Sequence, residues 1–200
     1  MNIGSTSLRK KYTAYALGLF VVIIVISVIV MYNGLVQKEE KVKQQWAEVQ
    51  STYQRRLDLI PNLVNTVKGI SGFEQTTLEK IAAARSNALA AQSDDVTAEN
   101  YTRQKTVQDS LASAANRLVI LIEKYPELRG TEAYSGLQVQ LEGTERRIKI
   151  ARNDFNAAVA DYNRNVRRFP ANLVAGLFGF KTKDGFTAVA GSDQATEIKF

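Results

Sequence analysis

The dominant feature in the pattern of apolar and polar positions is an uncharged run from Ala14 to Met31, AYALGLFVVIIVISVIVM, with Lys10 and Lys11 before it and Tyr32 and Asn33 after it. Its eighteen residues, at a rise of about 1.5 Å each, reach roughly 27 Å, enough for a helix to cross the hydrocarbon core of a bilayer. Ala14, Leu17, Phe20, Val22, Ile24, Ile26, Ile29 and Met31 are its anchor positions. Tyr12, Tyr15 and Tyr32 fall at the depths where interfacial aromatics are favoured. A cleaved signal peptide also starts with basic residues and an apolar run, but its apolar region is shorter, and no small-x-small cleavage site follows Met31.

Beyond the anchor the pattern becomes that of amphipathic helices. Val42, Trp46, Val49, Tyr53, Leu57, Ile60, Val64 and Val67 recur at steps of three and four and define one stripe. Pro61 lies inside it, lacks a backbone donor, and predicts a local kink. Ser71 and Glu74 have the spacing of a capping box and predict a new helix start, with a second helix running to about Ala91. That helix is rich in small residues, Ala82, Ala83, Ala84, Ala88, Ala90 and Ala91, which permit close approach of a neighbour.

Gln92 to Asp95 is a polar break, after which Tyr101, Val107, Leu111, Ala114, Leu118, Leu121 and Tyr125 carry a third helix to Pro126. Thr131 is placed as an N-cap, and Glu132 sits favourably for the helix dipole. A last helix then carries Tyr134, Leu137, Leu141, Ile148, Ala151, Phe155, Val159, Tyr162, Val166 and Phe169, closed by Pro170. No stretch alternates with period two long enough for a sheet. The expected fold class is therefore all-α, an N-terminal transmembrane helix followed by an antiparallel bundle of about four long helices.

This reading divides the chain into a basic tail over 1–12, a transmembrane helix over 13–32, a bundle over 33–170 and a C-terminal tail over 171–200. If the four helices alternate direction, the chain after Phe169 returns towards the bilayer. There Leu173, Val174, Leu177, Phe178 and Phe180 form an apolar patch that can dock on the membrane interface, on the foot of the bundle or on a partner.

Charge and composition then remove whole classes of function. Lys and Arg outnumber Asp and Glu by 26 to 20, but Arg9, Lys10 and Lys11 precede the apolar run, which leaves 23 against 20 after it. Those charges are interleaved, without the one-sided basic face of a nucleic-acid reader. The chain contains neither cysteine nor histidine, so thiol nucleophiles, disulfides, imidazole acid/base chemistry and the usual zinc ligands are excluded. Arg9, Lys10 and Lys11 are contiguous and close to the apolar run, whereas Lys38, Lys41 and Lys43 lie further from it. The positive-inside rule therefore favours a cytoplasmic N-terminus and a domain outside the cytoplasm.

An ordered set of short matches extends along nearly the whole chain from Tyr32 to Phe186. It includes Tyr32-Asn33-Gly34-Leu35-Val36, Arg55-Arg56-Leu57-Asp58-Leu59-Ile60-Pro61-Asn62-Leu63-Val64 and Phe73-Glu74. Glu123-Lys124-Tyr125-Pro126-Glu127-Leu128, Thr144-Glu145-Arg146-Arg147-Ile148, Phe155-Asn156, Tyr162-Asn163 and Phe169-Pro170 continue it. In this set the chain resembles the LemA family of bacterial membrane proteins. The resemblance implies a membrane anchor with a helical bundle and brings no catalytic set. Phe73 stands where relatives often have His, and Arg146 where they often have Asn.

The family pattern emphasises Arg55, Arg56, Asp58, Asn62, Glu74, Arg85, Glu123, Glu145, Arg152, Asn156 and Asn163. Four of these are carboxylates, but the di-metal sites of helical bundles also need Glu-x-x-His pairs, which a chain without histidine cannot supply. The expected role is a structural polar network in which carboxylates pair with arginines between helices and asparagines satisfy backbone groups. No catalytic residue, metal site or cofactor is expected. The functional expectation is a non-enzymatic scaffold or adaptor in the bacterial inner membrane. Its partners would be the lipid bilayer, a membrane or envelope protein, and a second copy in a homo-oligomer, but not nucleic acid. The alternative is a lipid-contacting or membrane-remodelling protein that uses the C-terminal apolar patch, and a carboxylate metal-site enzyme is a third reading.

Overall fold

A computed structural model describes the backbone of residues 4–67, 75–125 and 131–186, with side chains from Tyr12 onward. Among these residues the fold is all-α, with no strand. The helices are α1 (Gly4–Val67), α2 (Gln75–Ala90), α3 (Ala98–Ile122), α4 (Glu132–Arg167) and α5 (Ala171–Phe178). The described residues fall into two compact units, one within Met1–Lys41 and Asp161–Thr182 and one within Val42–Ala160 and 183–186.

In the first unit, the apolar part of α1 has its side chains outward. Leu17, Phe20, Val22, Ile24, Ile26 and Ile29 are all exposed, as is Ala14, and Met31 is half-buried. Exposing so much apolar surface to water is unfavourable by about 25 cal/mol per Å². The helix is long and apolar enough to cross a membrane. The one hydroxyl in its central stretch, on Ser27, donates back to the Ile23 carbonyl at 2.8 Å, which leaves no free donor for lipid to solvate. The buried side chains of this unit are Leu35, Tyr162, Val166, Val174 and Ala175.

The second unit is the bundle. Val42, Trp46, Val49, Tyr53, Leu57, Ile60 and Val67 are buried along one face of α1. The helix continues through Pro61 to Val67 without a break. Near the proline the core position passes to Leu63, while Val64 is only partly buried. Helix α2 presents Ile81 and Ala88 to this core, and α3 contributes Leu111, Ala115, Leu118 and Ile122. Helix α4 adds Tyr134 and Leu141. The alanines divide: Ala88 of α2 and Ala91 just beyond it are buried, whereas Ala82, Ala83 and Ala90 face outward.

Helix ends follow local capping chemistry. Thr97 caps α3, its hydroxyl accepting the Asn100 N–H at 3.3 Å, and Thr131 accepts the Tyr134 N–H at the start of α4 at the same distance. Ser71 and Glu74, expected to cap α2, lie outside the described residues.

Two expectations change near the C-terminus. Helix α4 ends at Arg167, so Phe169 is not part of its buried stripe and is 75% exposed. The apolar patch is itself a helix, α5, closed by Gly179 in the left-handed region with φ 78°. That conformation is accessible to glycine without a Cβ penalty and ends the helix.

Candidate functional site

The polar residues that could carry chemistry gather in the bundle around two arginines. Arg56 on α1 is only 2% exposed. Its Nη2 donates to both carboxylate oxygens of Glu145 on α4 at 2.5 Å, and its Nη1 donates to the backbone and side-chain oxygens of Gln108 on α3 at 2.9 and 3.1 Å. One buried cation thus fixes three helices. The Arg56 Nε has no hydrogen-bond partner.

Two turns along α4, Arg152 donates Nε to the Tyr53 hydroxyl at 2.8 Å and Nη2 to Asp109 at 3.1 Å. Asp109 also accepts from Lys105 at 3.0 Å. Burial alone would raise the Asp109 carboxyl, but hydrogen bonds and charge from Lys105 and Arg152 prevail and hold it below its ordinary range. Burial pushes the Tyr53 hydroxyl up, against the opposing pull of Arg152.

Arg56, Asp109, Glu145, Lys149, Arg152 and Asn153 line a shallow cavity of about 200 Å³. Among the described residues no three acidic side chains converge as a metal site would need. Each carboxylate at this cavity already accepts from an arginine that bridges helices. This geometry holds register, because a buried charge left without its partner is strongly unfavourable.

The other emphasised residues are placed elsewhere. Arg85 donates Nε to the Leu57 carbonyl at 3.2 Å. Asp58 accepts from Gln54 on the outer face of α1, and Arg55 and Asn62 are exposed there too. Glu123 is exposed just beyond α3, and Glu74 lies outside the described residues. Asn163 is half-buried on α4, with its carbonyl accepting from Arg167 at 3.3 Å. Asn156 holds the backbone of Phe186.

The residues that sequence reasoning missed are Asp109, Gln108 and the Tyr53 hydroxyl, together with Ser93. The Ser93 carbonyl in the α2–α3 connection accepts from Trp46 at 3.4 Å, from Gln104 at 3.1 Å and from Gln50. None lies in a spacing that signals such a role.

A second candidate surface lies in the first unit. The ring of Tyr32, at the end of the apolar run of α1, meets Phe178 at 4.9 Å and Phe180 at 5.6 Å between centroids. Helix α5 buries Val174 and Ala175 and turns Leu173, Leu177 and Phe178 outward, with Leu177 78% exposed. Val174 therefore belongs to the packed side of the patch. Lys38 and Asp161 form an ion pair at 2.6 Å in the same unit.

An apolar helix leading to a bundle with bridging arginines defines a membrane-associated helical protein. The chain belongs to the LemA family, whose model matches residues 45–200. It is similar to Magnetosome protein MamQ 2 of Paramagnetospirillum magneticum, 24% identical over 187 residues, covering 84% of this chain and 69% of the relative. Magnetosome protein MamQ of Magnetospirillum gryphiswaldense is similar with the same identity and coverage. Protein LemA of Metamycoplasma hominis is 24% identical over 143 residues, covering 72% of this chain and 63% of that relative.

Two outcomes follow from the cluster. In the full chain in detergent, Glu145→Ala should cost about 2 kcal/mol or more by stranding Arg56. Arg56→Met combined with Glu145→Ala should recover most of that loss in urea unfolding followed by helical circular dichroism. A double variant as unstable as the single one would mean that the pair does more than match charge.

The Asp109 carboxyl has a folded-state pKa below its unfolded value. Its stabilisation is therefore complete above the unfolded value and is lost as pH falls through the folded one. Asp109→Asn should lower the urea midpoint at pH 7, and its difference from the unaltered chain should shrink below about pH 4. A difference that stays constant down to pH 3 would contradict this.

Proposed function

We propose that this LemA-type membrane-associated protein is a non-catalytic scaffold, with α1 anchored in the bilayer and the bundle presenting its outer faces to a membrane or envelope protein or to a second copy. The observation that carries this reading is the engagement of the buried charges. Arg56 and Arg152 are held by Glu145, Gln108, Asp109 and Tyr53, and this arrangement fixes helices to one another. The cavity there is shallow, and its two carboxylates, Glu145 and Asp109, are already paired with Arg56 and Arg152. Arg9, Lys10 and Lys11 before the apolar run favour a bundle on the non-cytoplasmic side of the inner membrane. The MamQ relatives, named as magnetosome proteins, support membrane association.

A second reading, lipid contact by α5, is favoured by one specific observation. Phe178 and Phe180 pack on Tyr32, which belongs to the anchor's interfacial end, while Leu173 and Leu177 remain outward. An amphipathic helix so placed can lie in the headgroup region with its apolar side towards the acyl chains. In this reading the foot adds a membrane contact beside the anchor and does not replace the scaffold role.

Covalent crosslinking in native membranes, followed by detergent solubilisation, should trap the chain with a specific partner or as a defined homo-oligomer. Recovery of monomer alone at native expression levels would contradict the scaffold reading.

The foot has its own test, made possible by the absence of cysteine. A fluorophore on Leu177→Cys in liposome-reconstituted protein should emit to the blue and be quenched by lipids carrying a shallow quencher, unlike one on the exposed Val139→Cys of α4. Equal, water-like emission from both sites would remove lipid contact by α5.

A further inference from the structure

Three aromatic side chains from three helices of the bundle form a box. Trp46 of α1 lies 4.6 Å from Tyr101 of α3 and 5.5 Å from Phe155 of α4, and Tyr101 and Phe155 are 4.8 Å apart. All three are almost fully buried. The remaining wall is Phe186, from a segment after Gly179 that is neither helix nor strand. Its ring lies 5.5 Å from Phe155 and 5.9 Å from both Trp46 and Tyr101. The Arg152 guanidinium sits 5.4 Å from the Phe186 ring centre and completes the enclosure with a cation over a π-face.

The backbone of Phe186 is held as a neighbouring strand would hold it. Asn156 Oδ1 accepts the Phe186 N–H at 2.8 Å, and Asn156 Nδ2 donates to the Phe186 carbonyl at 3.0 Å. One carboxamide thus satisfies both main-chain groups of one residue, while the box selects its side chain. That division between backbone capture and side-chain pocket is how extended peptides are recognised.

The preceding position is selected as well. A Cβ on Gly185 would stand 2.7 Å from Asn156 Oδ1, so any larger residue there pushes the carboxamide off its two bonds. The Tyr101 hydroxyl, a member of the box, is buried without a hydrogen-bond partner.

We infer that Trp46, Tyr101, Phe155, Asn156 and Arg152 form a receptor for an extended Gly-Phe segment, filled here by the chain's own Gly185-Phe186 and able to take the same segment from a second copy of the chain. The inference rests on the scaffold reading and names one partner for it. A second copy offers the identical segment, and exchange of identical elements needs no new interface. Anchoring copies in one membrane raises their effective concentration.

Two full-length variants test it in detergent micelles. Phe186→Ala empties the tail and keeps the box, whereas Asn156→Ala breaks the clamp and keeps the tail. Trp46 is the sole tryptophan and reports the box directly. A peptide of residues 181–187, KTKDGFT, should shift the Trp46 emission of the Phe186→Ala chain. Replacing its Gly or its Phe with Ala should weaken it by about tenfold or more. Differently tagged Phe186→Ala and Asn156→Ala chains should crosslink with each other more than either does with itself, and the peptide should compete.

Circular dichroism establishes that each variant is folded, and Gly185→Val replaces Phe186→Ala if that chain is not. A folded, empty-tailed chain whose Trp46 ignores the peptide would overturn the receptor. Peptide binding without preferential pairing of the complementary chains would overturn exchange with a second copy. Crosslinking that is equal in all combinations and insensitive to peptide would sink the inference and leave self-association, and hence the scaffold reading, standing. Loss of all crosslinking, including in the unaltered chain, would count against both.

Discussion

Helix α1 changes its surroundings without changing its backbone, and the rest of the structure depends on how its side chains manage that change. From Leu17 to Ile29 its apolar residues point outward in all directions, while from Val42 to Val67 they are confined to one buried stripe. A helix satisfies its own backbone hydrogen bonds in either solvent, so one continuous element is suited to both lipid and protein surroundings. What must differ is the distribution of apolar side chains, all round in the first case and along one face in the second. The stripe then dictates the bundle, because eight buried apolar positions on α1 from Val42 to Val67 have to be covered by α2, α3 and α4.

Once covered, the stripe creates the setting in which Arg56 matters. A guanidinium enclosed to this degree is tolerable only when its charge and donors are met, and Glu145 and Gln108 meet most of them from two other helices. Arg152 repeats the device with Tyr53 and Asp109. These contacts discriminate between helix registers in a way that interchangeable apolar contacts do not. A fold with fixed register and outward polar faces is suited to presenting surfaces, and the family relationship agrees with a membrane-associated role.

The sequence made the helices legible because burial on a helix follows a period that residue types reveal directly. Trp46, Val49, Tyr53, Leu57, Leu111, Leu118, Ile148 and Phe155 are buried as their spacing predicts. Helix α5 was read only as an apolar patch, since eight residues starting just after Pro170 are too few to display a period. The Thr97 cap, two residues past the polar break of Gln92 to Asp95, was hidden for a similar reason, since threonine there is equally at home in a loop.

The site was less legible. Arg56, Glu145 and Arg152 stand out as charges within a stripe-bearing segment, but Gln108 and Asp109 meet Arg56 and Arg152 across 52 and 43 residues, and Ser93 acts through a carbonyl that no residue type advertises. Asn156 could be recognised as a polar residue on a buried helix, whereas its partner Phe186 comes from a segment without regular structure, where periodicity says nothing.

The central claim is that the apolar run of α1 remains part of the working protein and holds the bundle at a membrane. Intact-mass analysis of the protein from carbonate-washed membranes and from the soluble fraction of the same cells addresses it most directly. The account predicts a membrane-retained species whose mass includes residues 14–31. A soluble species that begins after Met31, with nothing left in the washed membranes, would contradict it.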